Sequence, residues 1–163
     1  MKIYLIGMPL SGKSTIGKLV SKALNLEFID LDEMIVNIYH ESITETFKKG
    51  EDYFRQRETE TLKTLYKKDN VVISCGGGIV VKEENKEYLD GLVIYLRVNI
   101  SSLEKRQVKS LNLRPLLKEH SLLELYEKRK DKYESFSNKI IENEDKDKTV
   151  EEIIGYYYEN ISN

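Results

Sequence analysis

Cysteine is almost absent from this chain of 163 residues. Cys75 stands alone, so no internal disulfide can form, and a reducing, cytoplasmic compartment is expected. Histidine is nearly as scarce. His40 and His120 lie far apart without cysteine partners, which argues against a structural zinc site and leaves both as expected surface residues. No apolar run approaches a membrane span. The first of them, Ile3 to Ile6, is strand-sized and too short for the core of a signal peptide. Nor is there an excess of charge: 26 basic against 28 acidic side chains give a formal net charge of −2. Bulk electrostatics therefore exclude a general nucleic-acid binder, and any site for an anion must make its own positive field. Repeats, low-complexity tracts and linkers are missing too. One domain over residues 1–163 is expected, large enough to bury a core, acting as a monomer without membrane or nucleic-acid partners.

Proline and glycine are few, and their placement is informative. The two prolines, Pro9 and Pro115, fall in or beside candidate loops, and five of the nine glycines sit in two clusters. The first cluster belongs to Gly7-Met8-Pro9-Leu10-Ser11-Gly12-Lys13-Ser14, which satisfies every fixed position of the phosphate-loop pattern G-x-x-x-x-G-K-[ST]. An apolar run precedes it, and a helix-patterned stretch with Ile16, Leu19, Val20 and Leu24 follows. Glycines let such a loop curl so that successive N–H groups face phosphate oxygens, and the positive end of the helix adds to the field. Lys13 is expected to reach the β- and γ-phosphates and the Ser14 hydroxyl to ligate Mg²⁺. The motif implies nucleoside triphosphate binding.

Short apolar runs alternate with helical patterns along the rest of the chain. Strands are expected over 2–7, 27–30, 71–74, 92–97 and 139–142, separated by segments long enough for crossover helices. That is the pattern of a five-stranded parallel sheet covered on both faces, an α/β fold. Capping boxes mark helix starts at Ser42…Glu45, Ser101…Glu104, Ser121…Glu124 and Thr149…Glu152. Residues 142–148 read as a solvated loop. Residues 151–161 read as an amphipathic closing helix whose tyrosines form a packing stripe.

Three further groups carry chemistry. Asp30-Leu31-Asp32 ends the second strand, where a carboxylate can support Mg²⁺ or accept a proton from a hydroxyl. Spacing i, i+2 on extended backbone would point both to one side, although Asp32 also suits a plain helix cap. Because Ser74 takes the place of the usual third-strand acid, Asp30 is the best metal-supporting carboxylate. Val71 to Ser74 runs through Cys75 into Gly76-Gly77-Gly78, a turn that lets a ligand approach the backbone, or else simply a tight turn. Arg55, Arg114 and Arg129 each read alone as surface charges, yet arginine's planar fork suits carboxylate and phosphate.

Taken together, these residues resemble the shikimate kinase family. The resemblance runs from Gly7 through Gly17, by way of Phe28-Ile29-Asp30-Leu31-Asp32, Phe54-Arg55-x-x-Glu58 and Gly76-Gly77-Gly78, to Arg114-Pro115-Leu116-Leu117 and Arg129-x-x-x-Tyr133. Asp131 stands where the family usually has proline, and Cys75 where threonine is frequent. The resemblance implies a three-layer α/β/α sandwich of P-loop NTPase type, with a substrate-binding lobe over about 33–61 and a mobile lid over about 109–123. It implies ATP-dependent phosphorylation of the 3-hydroxyl of shikimate, with Mg²⁺ as cofactor, in aromatic amino-acid biosynthesis. Lys13 and Arg114 would stabilise the transferring phosphoryl group. Pro9, Leu10, Ser11, Gly12 and Thr15 would complete the nucleotide contacts, with Arg106, or alternatively Gln107, against adenine. Ser14 would ligate Mg²⁺ and Asp30 would support it. Asp32 would hold the acceptor hydroxyl as its general base, Arg55 and Arg129 would clamp the carboxylate, and Gly76, Gly77 and Gly78 would contact hydroxyls.

Other readings remain. A gluconate-kinase-like or nucleoside monophosphate kinase could share the fold, but the set Asp32, Arg55, Gly76 to Gly78 and Arg129 speaks against it. A non-catalytic descendant would have lost Lys13, Ser14, Asp32 or Arg114, and all are present. A GTPase switch is disfavoured because Asn138-Lys139-Ile140-Ile141 lacks the guanine-reading aspartate.

Overall fold

Strands β1 (Lys2–Ile6), β2 (Glu27–Asp30), β3 (Val71–Ser74), β4 (Leu92–Arg97) and β5 (Lys139–Glu142) pair in parallel, in the order β2-β3-β1-β4-β5. The structure is a computed structural model that describes residues 1–110 and 121–161. Arg114, Pro115, Leu116, Leu117 and His120 lie outside the described residues, as does most of the lid expected over 109–123. Helix α1 (Lys13–Leu24) links β1 to β2. Helices α2 (Leu31–Tyr39), α3 (Ile43–Lys48) and α4 (Glu51–Thr64) lie between β2 and β3, α5 (Ile100–Lys109) and α6 (Leu122–Phe136) between β4 and β5, and α7 (Lys146–Ile161) closes the chain.

The strands match the expected spans except at β1, which stops at Ile6. Gly7 leaves the ladder at φ +149°, a value that favours glycine. Alternation along β1 sorts its side chains between two cores. Ile3 and Leu5 pack with Ile16 and Val20 of α1 and Ile153 of α7. Tyr4 and Ile6 face the opposite layer with Leu31, Ile35, Leu62 and Tyr133. Burial on both faces explains why β1, β3 and β4 read as continuous apolar runs, whereas the edge strands β2 and β5 are only partly buried; each buried side chain of this size stabilises by about 1.5–3 kcal/mol. Gly17 sets how closely α1 lies on the sheet: a Cβ there would meet the Phe28 ring at 2.6 Å.

After β1 the chain turns toward β2, and after β3 it crosses to β4. The crevice beyond the C-terminal ends of β1 and β3 is therefore a topological switch point, where open parallel sheets bind ligands. Both glycine clusters follow these two strands.

Helix starts correct several expectations. The Ser42–Glu45 capping box forms in full, and Ser121 accepts from the Glu124 N–H. Helix α5, however, is capped by Asn99 rather than Ser101. Thr149 lies inside α7, where Asp145 accepts from the Lys148 N–H at 3.0 Å. Both serine/threonine matches fall in the first turn behind a stronger Asn or Asp cap, so the short pattern mislocates the start. Helix α7 consequently begins at Lys146, and only residues 143–145 separate it from β5. Ile153 and Tyr157 pack in the core as the packing-stripe reading expects, and Tyr156 joins them, but Tyr158 and Ile161 of the same stripe are exposed.

Candidate active site

The phosphate loop is held open by its neighbours as much as by its own glycines. A Cβ on Gly7 would stand 2.6 Å from the Leu96 carbonyl oxygen. Gly12, at φ +90°, caps α1 without a side-chain acceptor, so the first-turn N–H groups of α1 are left for a ligand. Leu10 holds φ +67°, an uncommon conformation for a non-glycine residue. The Arg106 guanidinium fixes it by donating to the Leu10 carbonyl at 2.8 Å. The Asn143 amide donates to the Ser11 carbonyl at 2.7 Å. Lys13, itself buried, folds back over the loop and donates to the carbonyls of Gly7 (3.0 Å) and Met8 (2.7 Å).

A cleft of about 440 Å³ opens over this loop, lined by Gly12 to Thr15, Asp30, Asp32, Arg106 and Asn143 among others. Arg106 is among its lining residues and Gln107 is not. Ser14 Oγ donates to Asp30 Oδ2 at 2.7 Å and lies 3.1 Å from Ser74 Oγ. The donor set is oxygen throughout, with one carboxylate. That suits Mg²⁺, which keeps waters and substrate phosphates in its shell rather than an all-protein cage. No cluster of three or more His, Cys, Asp or Glu side chains able to hold a metal occurs among the described residues.

Asp30 rather than Asp32 caps α2: its Oδ1 accepts from the N–H groups of Asp32 (3.1 Å) and Glu33 (3.2 Å). This overturns the alternative of Asp32 as the cap, and also the idea that both carboxylates project from extended backbone. Strand β2 ends at Asp30, and Asp32 sits in the first turn of α2. The helix nevertheless brings both carboxylates to the same place, since each lines the nucleotide cleft and an adjoining pocket.

That second pocket, about 310 Å³, is lined by Pro9, Asp32, Arg55, Glu58, Arg129 and the three glycines, with Ile43, Phe47 and Phe54 as an apolar wall. Arg55 and Arg129 come from α4 and α6 and meet here. Neither is the surface charge that its local sequence suggests, with exposures of 3% and 4%. Arg55 donates to Glu58 Oε1 at 3.0 Å and to Glu51 Oε1 at 3.3 Å, and its guanidinium lies over Phe54 at 5.2 Å. Among the described residues, Arg129 Nη1 and Glu58 Oε2 are buried without a hydrogen-bond partner. Burial, reinforced by Asp32 and opposed by Arg55, pushes the Glu58 carboxyl up to about 7. The thiol of Cys75, which borders the cleft over the phosphate loop, is pushed up by burial and is inert as a nucleophile at neutral pH.

The three glycines make room for neighbouring side chains. A Cβ on Gly76 would stand 2.8 Å from Asp32 Oδ1, one on Gly77 2.8 Å from Pro9 Cδ, and one on Gly78 2.1 Å from Arg55 Nη1. The loop is trimmed to admit side chains from three other segments. Tyr133, one turn beyond Arg129 on α6, donates its hydroxyl to the Gly77 carbonyl and ties this loop to the helix that carries Arg129.

Residues 9–161 match the family model described as shikimate kinase. The chain belongs to the shikimate kinase family. A shikimate kinase of Clostridium botulinum (strain Eklund 17B) is 42% identical over 160 residues, covering 94% of this chain and 93% of that one. The solved shikimate kinase of Acinetobacter baumannii in complex with shikimate has a TM-score of 0.86 at 28% identity, covering 98% of this chain and 93% of that one. A gluconokinase of Sinorhizobium meliloti has a TM-score of 0.64 at 19% identity, covering 99% and 95%, and shares the fold alone.

Sequence reading missed several residues of this shikimate kinase site. Asn143, Glu144 and Lys146 line the nucleotide cleft although 142–148 read as a solvated loop. Their position just past the C-terminal end of β5, on the sheet's ligand-binding edge, was the available signal. Glu58 was part of a motif but had no assigned role, and Ile43, Phe47 and Phe54 read only as helix hydrophobics.

Proposed function

We propose that this protein is a shikimate kinase in which the two adjoining cavities hold donor and acceptor. It phosphorylates the 3-hydroxyl of shikimate from ATP, giving shikimate 3-phosphate and ADP, in aromatic amino-acid biosynthesis. The observation that carries the residue roles is Asp32, which lines both the nucleotide cleft and the arginine-lined pocket. A hydroxyl on a substrate seated between Arg55 and Arg129 meets a terminal phosphate at that carboxylate.

In this reading Arg129 Nη1 and the Arg55 fork receive the substrate carboxylate, and Gly76 to Gly78 offer backbone to its hydroxyls. Asp32 orients the 3-hydroxyl and takes its proton as the phosphoryl group moves. Lys13 exchanges the carbonyls of Gly7 and Met8 for phosphate oxygens, and Arg106 borders the adenine. Arg114, outside the described residues, keeps its proposed part in stabilising the transferring group. Phosphoryl transfer needs little covalent help from protein, so positioning and charge carry most of the catalysis. Ser14, with Asp30 behind it, would hold Mg²⁺, which when bound would neutralise phosphate charge. The enzyme is proposed to work as a cytoplasmic monomer. Among the described residues no helix is long and apolar enough to cross a membrane.

The test is ADP release from Mg-ATP with shikimate, gluconate or nucleoside monophosphates offered as acceptors. Turnover with shikimate, strongly favoured over gluconate, which also carries a carboxylate, is expected. A folded preparation that binds Mg-ATP but shows no shikimate-dependent ADP release overturns the reading.

A further inference from the structure

We infer that Arg57 is a positioning residue for the acceptor pocket: it clips the short helix α3, which carries part of the pocket's apolar wall, onto α4. The inference rests on the functional reading above. Arg57 itself does not line either cavity.

The argument begins with α3, six residues from Ile43 to Lys48. A helix this short is not stable alone, so its place must be set by tertiary contacts. Two of its residues, Ile43 and Phe47, line the acceptor pocket, and Phe47 stacks on Phe54 with ring centroids 4.6 Å apart. The segments on either side of α3 are joined by an ion pair. Glu41, two residues before it, receives Lys49, the residue just after it, at 2.5 Å. The other Glu41 oxygen receives Arg57 Nη1 at 2.5 Å. The Arg57 guanidinium lies between two aromatic rings, with centroids of Tyr39 and Tyr53 both at 4.3 Å, and its Nη2 donates to the Tyr53 hydroxyl. Tyr39 in turn donates to Glu60 Oε2 at 2.9 Å.

One cation thus joins the end of α2, the approach to α3 and the outer side of α4. Arg57 is 14% exposed and Glu41 16%, so the pair is partly shielded from solvent. Stacking between two rings while pairing with a carboxylate uses the planar, delocalised guanidinium, and lysine cannot reproduce it. Arg55 and Glu58, on either side of Arg57 in sequence, point into the pocket from the same helix. None of the residues lining the nucleotide cleft belongs to α3 or α4. Loosening the clip therefore disturbs acceptor binding and leaves the nucleotide alone. The apolar wall touches the acceptor alike in ground and transition states, so its loss raises KM rather than lowering kcat.

The experiment compares Arg57→Ala, Arg57→Lys, Glu41→Gln and Tyr53→Phe with the parent enzyme by steady-state kinetics and by calorimetric binding of shikimate. Arg57→Ala is expected to raise the KM and Kd for shikimate about tenfold, with the KM for ATP and kcat within about twofold. Arg57→Lys and Glu41→Gln should be intermediate, and Tyr53→Phe, which keeps the ring, close to the parent. Equal rises for both substrates, or a lowered Tm with both KM values unmoved, overturn the positioning role. Should Arg57→Ala not fold, the graded order of the milder variants in shikimate KM decides. A parent enzyme that fails to turn over shikimate refutes the functional reading instead, whereas an active parent with unmoved variants refutes only this one.

Discussion

Gly78→Ala gives the sharpest test of the acceptor pocket, because it adds one methyl group where the Arg55 guanidinium already lies. The added Cβ would stand 2.1 Å from Arg55 Nη1 and 2.2 Å from both Cζ and Nη2. Gly78 is not among the positive-φ residues, so the substitution acts through this contact rather than through φ strain. Reaching 3.0 Å, the closest approach that Cβ atoms tolerate, moves the guanidinium by at least 0.9 Å. Arg55 has little room to yield, being 3% exposed and held by Glu58, Glu51 and Phe54. Overpacking of this kind costs about 1–3 kcal/mol of stability, a Tm loss of several degrees. A misplacement near 1 Å at a substrate-orienting group costs on the order of 10²-fold in rate. We therefore expect kcat/KM for shikimate to fall ~10²-fold, with the KM for ATP within about twofold. Gly77→Ala is the control. Its Cβ would meet the Pro9 ring at 2.8 Å and the Pro9 nitrogen at 3.0 Å, so it should disturb the phosphate loop and raise the KM for both substrates. The assay is coupled ADP release with each substrate varied in turn, alongside thermal melts. A Gly78→Ala enzyme with unchanged shikimate kinetics, or with ATP affected equally, refutes the placement of Arg55 as a substrate clamp.

Three further outcomes follow from the same geometry. Asp30→Asn keeps a good helix cap for α2 but loses the charge facing Ser14, so the Mg²⁺ concentration for half-maximal rate should rise about tenfold with Tm nearly unchanged; a large Tm loss would count against it. Asn143→Ala removes the buried donor to the Ser11 carbonyl and should cost about 1–3 kcal/mol in denaturant unfolding while raising the KM for ATP. Glu58 holds its proton to about 7 in the folded protein, against an ordinary 4.5, because burial penalises its charge. The folded state then binds more protons than the unfolded chain between those values, so stability falls as pH rises through that window. Melts of the parent and Glu58→Gln from pH 5 to 8 should diverge accordingly, and parallel curves would refute the assignment.

Much of the fold was legible because the central strands β1, β3 and β4, buried on both faces, leave an apolar signature, and the shorter apolar pairs of the edge strands β2 and β5 stand out between polar neighbours. Four strand spans were read to the residue, and β1 was overrun only by Gly7, which begins the loop. Caps were less legible where two candidates fell within one turn, as at Asn99 and Ser101. The nucleotide half of the site was also legible, since a phosphate loop is contiguous in sequence. The acceptor half was not, on local grounds. Arg55 sits in a charged helix and Arg129 in a run of charges, and nothing in their neighbourhoods marks them as buried. Their burial is a property of the tertiary packing of α4 and α6 around residues 76–78. Only the joint spacing of the motifs carried that information.

The proposed function asks a chain of net charge −2 to hold an anion. Arg55 and Arg129 share the pocket with Asp30, Asp32, Glu33 and Glu58, two arginines against four carboxyls, so the count of charges in its lining does not by itself favour a carboxylate. Two features work against that count. Burial pushes the Glu58 carboxyl up to about 7, which removes part of the negative charge below neutrality. Arg129, moreover, keeps a buried Nη1 without an acceptor among the described residues, while Arg55 divides its donors between Glu58 and Glu51. An incoming carboxylate supplies the missing acceptor in a cavity where water competes poorly, and there charge-assisted hydrogen bonds are at their strongest. The trimmed glycine loop is what allows this arrangement. Side chains at 76, 77 or 78 would displace Asp32, Pro9 or Arg55 in turn, so one backbone turn holds the phosphate loop, Asp32 and Arg55 in register.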